Sequence, residues 1–349
     1  MLPSDKMRVL IIGAQGQLGT DLRRVLPVDT VGVDLPAFDV GRADQVRAVL
    51  ARERPDWVIN CAAQTNVDRC ELEPGEAFAV NAHGAMHVAQ AAAEVGARVI
   101  YISTDYVFGG DGQRRRPYTE SDRPMPLNVY GASKLAGEHL TLAYQPRSLV
   151  VRTSGLYGHA GARGKGGNFV ETMLRLAASQ RPIRVVADQR LSPTSTVELA
   201  DRLVALLQCN AEGIVHVAAA DDCTWFEFAR EIFAVGGLDV DLQPVATAEY
   251  PVQALRPALS ALRSERLAAL GVPPCRAWRA MLREYLLARP QPAGGDAAAV
   301  EQPPDRARPP APSGAGGASE GAHVLGHPPH HGRRDANARQ PGQEFWDRI

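Results

Sequence analysis

RVLIIGAQGQLG, residues 8–19, reads as a buried strand, a glycine-rich turn and the first turn of a helix. A continuous aliphatic run is the pattern of a strand covered on both faces of a parallel sheet. In such a turn Gly13 allows the tight reversal, Gly16 lets the backbone approach a pyrophosphate, and Gly19 permits close helix packing. The helix that follows offers unpaired N–H groups and the positive end of its dipole to phosphates. Dinucleotide binding is the expected role, with Gln15, Gln17 and Leu18 in the same turn as further cofactor contacts.

Outward from this turn, short aliphatic runs alternate with longer helical patterns. Strands are predicted at 8–12, 30–34, 57–60, 98–103, 148–152, 183–186 and 214–218. Between them, Leu18, Leu22 and Leu26 keep helical spacing, as do Phe78, Ala82, Ala85 and Ala89. The alternation predicts an α/β protein with a Rossmann-type doubly wound parallel sheet and a smaller C-terminal substrate lobe. The expected division is a cofactor-binding domain over 7–152, a mainly substrate-binding lobe over 153–288 interleaved with it, and a tail over 289–349. From residue 292 onward there are 9 Pro and 9 Gly in 58 residues, against 17 Pro and 23 Gly in the preceding 291. Few large apolar residues remain there, so the tail is expected to be disordered. Its HPPHH and EFWDRI segments carry metal-ligand and docking-peptide residue types, but ordering entropy opposes a defined site in such a context.

The chain has 349 residues, 45% of them hydrophobic, enough to build a sizeable core. A net charge of −1 gives no electrostatic footprint for nucleic acid or an acidic membrane surface. Cys61, Cys70, Cys209, Cys223 and Cys275 are odd in number and lack CxxC spacing, so no zinc site and no disulfide framework is indicated. No apolar run is long enough to span a membrane or serve as a signal peptide. The expectation is a soluble cytoplasmic protein without a metal.

Asp34 stands 21 residues after Gly13, at the end of the second predicted strand, where a carboxylate accepts hydrogen bonds from an adenosine ribose. Leu35 and Pro36 follow it, so no adjacent Arg awaits a 2′-phosphate. NADH is therefore slightly preferred over NADPH, with Arg42 as the residue that could reverse the preference. Asp39 and Val40 extend this edge. The third strand ends in Asn60, Cys61, Ala62 and Ala63, followed by Thr65, small or polar groups where ribose and phosphates cross the carboxyl ends of the strands. The next ends in Ser103, Thr104 and Asp105.

Tyr130 and Lys134 stand four apart in YGASK, and Lys134 is one of 3 Lys in a chain with 35 Arg. That spacing places both side chains on one helical face. A phenol is a poor proton donor near neutrality unless a cation stabilises its phenolate. The pair is read as a proton-transfer device.

These motifs together resemble the extended short-chain dehydrogenase/reductases. The longer strings NCAAQTNVDRCE, VNAHGA, ISTDYVFGG, PYTESDRPMPLNVYGASKLAGE, GGNFVETMLRLA, DQRLSPT and TWFEFAREI are similar to the dTDP-4-dehydrorhamnose reductase family within them, from about residue 7 to 287. The resemblance implies NAD(P)H-dependent reduction of the C4 ketone of dTDP-4-dehydro-L-rhamnose. It implies Tyr130 as the acid, Lys134 as the cation that lowers its pKa and holds the nicotinamide ribose, and Thr104 as a donor to the carbonyl oxygen. It also implies Asp105 and Tyr106 on the sugar, and Asn168 and Arg256 near the diphosphate, with Asn168 as an ordinary N-cap and Arg256 in an ion pair between lobes as equal alternatives. Related 4,6-dehydratases carry Glu where this chain has Tyr106, so elimination is not expected. A homodimer, in some relatives bridged by Mg²⁺, is compatible with the resemblance, but nothing in the residues indicates Mg²⁺.

Two positions depart from the family pattern. Gly155 stands where a Trp commonly packs on the sugar, which implies a wider pocket or one filled by another residue. Leu191 stands where Gly is usual, which implies an altered loop. Another epimerase or reductase of nucleotide sugars is an alternative, and so is a non-catalytic subunit like that of methionine adenosyltransferase. An intact Tyr130, Lys134 and Thr104 argue against the second, because a binding module needs no matched acid and cation.

Overall fold

The computed structural model describes residues 7–161, 167–250 and 253–289. The expected tail and its HPPHH and EFWDRI segments lie outside these residues, as does most of the glycine-rich loop before Asn168.

The central sheet is built from β1 (Val9–Ile12), β2 (Val31–Val33), β3 (Trp57–Asn60), β4 (Arg98–Thr104), β5 (Leu149–Thr153) and, later in the chain, a sixth strand at Gly213–His216. All pairings are parallel, in the order β2-β1-β3-β4-β5 followed by the sixth strand. The chain passes from β1 through α1 (Gln17–Val25) to β2 on one side, then through α2 (Ala43–Glu53) to β3 on the other side of β1, so the strand order reverses at β1 while all strands stay parallel. A ligand crevice is expected at that switch point, outside the carboxyl ends of the strands.

Burial follows from the two-residue period of a strand. Val9 and Ile11 point into a core shared with Leu18 and Leu22 of α1 and with Leu199, Leu203 and Leu206. Leu10 and Ile12 point into the opposite core, with Val46 and Leu50 of α2 and with Val88 and Ala92. Each face of the sheet is thereby covered, the doubly wound arrangement the sequence predicted.

Between β3 and β4 the chain runs through α3 (Val67–Leu72), α4 (Pro74–Phe78), a π-helical turn at Ala79–His83 and α5 (Gly84–Val95). After β4 comes α6 (Val129–Tyr144), whose N-cap Asn128 accepts a hydrogen bond from the Gly131 amide at 2.8 Å. Its side chain satisfies a first-turn N–H that has no partner within the helix.

The second half supplies α7 (Phe169–Ala177), β6 (Ile183–Val186), β7 (Arg190–Leu191), α8 (Thr196–Gln208), β8 (Gly213–His216), β9 (Cys223–Thr224), α9 (Trp225–Gly236), β10 (Leu242–Val245) and α10 (Trp278–Leu287). One sequence expectation needs correction. The strand at 183–186 does not join the central sheet but pairs in parallel with β10, which the sequence reading missed. The LQPV of β10 carries a proline and two exposed residues, so it shows no aliphatic run to read. β6 turns Ile183, Val185 and Val186 instead into a separate aromatic core with Phe169, Trp225, Phe228 and Trp278. This second core is the smaller lobe, and it lies in the same compact unit as the central sheet.

Candidate active site

A cleft of about 560 Å³ runs along the carboxyl ends of β1, β3 and β4 and reaches the smaller lobe. That volume is in the range of a small-molecule or cofactor site. Gly13 forms its floor at φ +80°, a left-handed conformation that favours glycine. A Cβ there would stand 3.0 Å from the backbone of Cys61 and Ala62, so the β1 and β3 ends approach as closely as they do only because the side chain is missing. Gly16 is the N-cap of α1 and supplies no side-chain cap, so the first amides of that helix keep their donors for another partner.

Asp34 joins the rim of this turn. Its Oδ2 accepts from the Gln15 amide and its Oδ1 from the Leu35 amide, each at 2.8 Å. Asp39 and Val40 also line the cleft, with Asp39 Oδ1 accepting from the Gly41 amide at 2.8 Å. Gln17, Leu18, Gly19, Ala62, Ala63 and Thr65 lie along the same wall. Gln15 is absent from the lining and exposes its side chain. The Cys61 thiol is pushed up to about 12 by burial, which keeps it protonated.

At the inner end, Thr104, Tyr106, Tyr130 and Lys134 come together from β4, the turn after it, and α6. The Tyr130 hydroxyl stands beside Thr104, and its ring meets that of Tyr106 edge-on at 5.9 Å. Burial raises the phenol well above its ordinary value, Thr104 works against that rise, and Asp105 adds to it. Lys134 donates from Nζ to the Ile102 carbonyl at 2.6 Å and lies 4.1 Å over the Tyr101 ring. Burial lowers its pKa to about 7, opposed by Glu138 and then by Cys61. Lys134 makes these contacts, to the Ile102 carbonyl and the Tyr101 ring, with its charge one helical turn from the Tyr130 phenol. Of its three N–H donors, one is committed to that carbonyl.

Four other expected site residues have partners within the protein. Asp105 accepts from Ser154 Oγ at 2.8 Å, from Ser260 Oγ at 2.6 Å and from Thr104 Oγ1 at 3.1 Å. Burial nevertheless carries it up to about 6. Ser103 donates to Glu138 at 2.5 Å. Asn168 caps α7, accepting from the Glu171 amide at 3.1 Å and donating to the Gly158 carbonyl at 2.8 Å. Arg256 pairs with both oxygens of Asp68, at 3.1 and 2.7 Å, the ion-pair reading of this residue rather than the diphosphate one. All four also line the cleft.

The sequence reading did not single out Asn81, Ser133, Glu138, Ser154 and Ser260. Asn81 sits in the π-helical turn and links Gln64 to Ser133 of α6 through hydrogen bonds of 2.9 to 3.0 Å. Such turns recur at functional sites. Glu138 was legible, since it continues the four-residue ladder from Tyr130 and Lys134. The others are brought in by tertiary contacts that no local pattern announces.

A family model described as the RmlD substrate binding domain matches residues 7–289. The chain belongs to the RmlD family. It is 42% identical over 289 residues to dTDP-4-dehydrorhamnose reductase of Mycobacterium tuberculosis, covering 80% of this chain and 93% of that one. It is also 40% identical over 285 residues to the spore coat polysaccharide biosynthesis protein SpsK of Bacillus subtilis, covering 81% and 98%. A crystal structure of dTDP-4-dehydrorhamnose reductase from Bacillus anthracis in complex with NADP superposes with a TM-score of 0.76 at 40% identity, covering 81% of this chain and 99% of that one.

Membership of the RmlD family makes the chain an NAD(P)H-dependent oxidoreductase with a Rossmann-type fold, as the motifs implied. Among the described residues of this RmlD protein, no group of three or more His, Cys, Asp or Glu is placed to hold a metal. No described helix is long and apolar enough to cross a membrane.

Proposed function

We propose that the protein reduces the C4 ketone of dTDP-4-dehydro-L-rhamnose to give dTDP-L-rhamnose, with Tyr130 as the general acid. The observation that carries this reading is the convergence of Tyr130, Thr104 and Lys134 in the cleft that also holds the Gly13 turn. The names of relatives at about 40% identity support the substrate, and they favour neither an epimerase nor a regulatory subunit.

The cleft fits a dinucleotide: the Gly13 backbone approaches closely, the α1 amides lack a cap, and Asp34 stands at the β2 edge. When bound in reduced form, this cofactor supplies a hydride to the ketone carbon. Tyr130 then meets the negative charge that grows on the carbonyl oxygen as an oriented donor in place of water, joined by Thr104 when its single O–H turns from Asp105 to that oxygen. Tyr130 gives its proton to that oxygen, completing the alcohol. The raised pKa of the phenol keeps it protonated before the reaction, and charge transferred to it needs a cation. Lys134 supplies that cation from the next turn of α6, with two N–H donors left for ribose hydroxyls. Asp105, held by Ser154 and Ser260, fixes Thr104.

The test is loss of absorbance at the reduced nicotinamide band when enzyme is mixed with dTDP-4-dehydrorhamnose, with NADH and NADPH assayed separately. Sugar-dependent oxidation of either coenzyme is expected. Its absence with both rules out the activity.

A further inference from the structure

Leu191 is 3% exposed, lines the inner cleft and sits on β7, a two-residue strand paired with β9. Gly155, on the facing wall, has φ +50°. A Cβ built on Gly155 would lie 2.6 Å from Leu191 Cδ1 and 3.3 Å from Pro193 Cα. Leu191 therefore occupies the space that any side chain at 155 would enter.

The neighbours of Leu191 on both sides are tied to one oxygen of the site. The Ser192 amide donates to Ser154 Oγ at 3.2 Å, and Ser154 donates to Asp105 Oδ2. The Ser260 amide donates to the Arg190 carbonyl at 2.9 Å, and Ser260 Oγ donates to the same Asp105 oxygen. Leu191 is thus held in register with Asp105 and, through it, with Thr104. An aliphatic side chain fixed there offers no hydrogen-bond partner, so it suits the apolar edge of a ring and penalises a hydroxyl.

We propose that Leu191 and Gly155 act as one steric element that sets the width of the substrate end of the cleft, with Leu191 the residue that determines which ring fits. The inference rests on the reductase reading for the identity of that ring.

A double-variant cycle tests it, with KM, kcat and NADH affinity measured for each protein. Leu191→Gly is expected to raise KM for dTDP-4-dehydrorhamnose about ten-fold with a smaller change in kcat, the scale of a lost apolar contact. Gly155→Asn, chosen because Asn tolerates left-handed backbone, is expected to impair the enzyme while Leu191 is present. In the Leu191→Gly background it should cost far less, leaving the double variant about five-fold or more better than the product of the single effects. NADH affinity should stay constant throughout.

Multiplicative effects, an unchanged KM in Leu191→Gly, or a parallel loss of NADH affinity would each overturn the pairing. Wild-type enzyme that turns over no sugar would sink the activity reading alone. The same four proteins would then be compared by thermal unfolding midpoint, where non-additive shifts support the steric element and additive shifts reject it.

Discussion

Arg152 Nη2 lies 2.6 Å from Glu138 Oε2, and neither side chain is more than 2% exposed. Glu138 Oε1 also accepts from Arg152 Nε at 2.9 Å and from Ser103 Oγ, so both of its oxygens are used. Two turns of α6 carry Tyr130, Lys134 and Glu138 in sequence, and Glu138 is the strongest of the groups that help keep Lys134 charged. Removing one partner of a buried pair leaves the other charge uncompensated, which typically costs about 3–5 kcal/mol. Glu138→Ala is therefore expected to lower unfolding free energy by about that amount, read from urea denaturation. An effect below about 1 kcal/mol, the size of an exposed pair, would contradict the burial of this one.

Tyr130→Phe keeps the ring and its edge-on contact with Tyr106 but removes the proton donor. General acid catalysis contributes about 10²- to 10⁴-fold, so kcat should fall within that range. Cofactor affinity should change less than about two-fold, since no transition-state interaction enters it. A variant that retains full turnover would show that the proton comes from elsewhere.

Asp105 gives a pH dependence with a definite sign. Its folded pKa is raised from 3.8 to about 6, so between these values the native state binds more protons than the unfolded state. Stability should then fall as pH rises from about 4 to 6, by roughly 3 kcal/mol if the whole shift is expressed. Below that window both states are protonated and the penalty vanishes, and above it the penalty is complete. Asp105→Asn should flatten this part of the profile relative to wild type. Parallel wild-type and variant curves would show that Asp105 is not its source.

How much of this was legible in advance depended on whether the determinant was local. The sheet was readable because β1, β3 and β4 are aliphatic runs buried on both faces, and the turn at Gly13 was readable because its backbone conformation requires glycine. β10 was not, since its LQPV becomes a strand only by pairing with β6. The same limit applied in the cleft. Tyr130 and Lys134 share a helix and announce themselves by spacing, whereas Ser154 and Ser260 reach Asp105 from segments 49 and 155 residues away. Arg256 was readable as one half of an ion pair, but its partner Asp68, 188 residues distant, was not.

The expected preference for NADH rests on Asp34. Both of its oxygens accept backbone amides at 2.8 Å, so the carboxylate is held at the end of β2 and cannot swing away without breaking those bonds. A ribose 2′-hydroxyl can donate to such a group, while a 2′-phosphate beside it meets like charge. Arg42, the candidate to offset that repulsion, is paired with Asp44 at 3.4 Å on an exposed surface. Wild-type enzyme is therefore expected to show a lower KM for NADH than for NADPH. Asp34→Asn keeps an oxygen for one amide and removes the charge, so the preference should shrink by about ten-fold, the equivalent of 1.4 kcal/mol, mainly through a lower KM for NADPH. If NADPH is already preferred by the wild type, or the variant leaves the ratio unchanged, the like-charge account of Asp34 is wrong and Arg42 must turn toward the cleft.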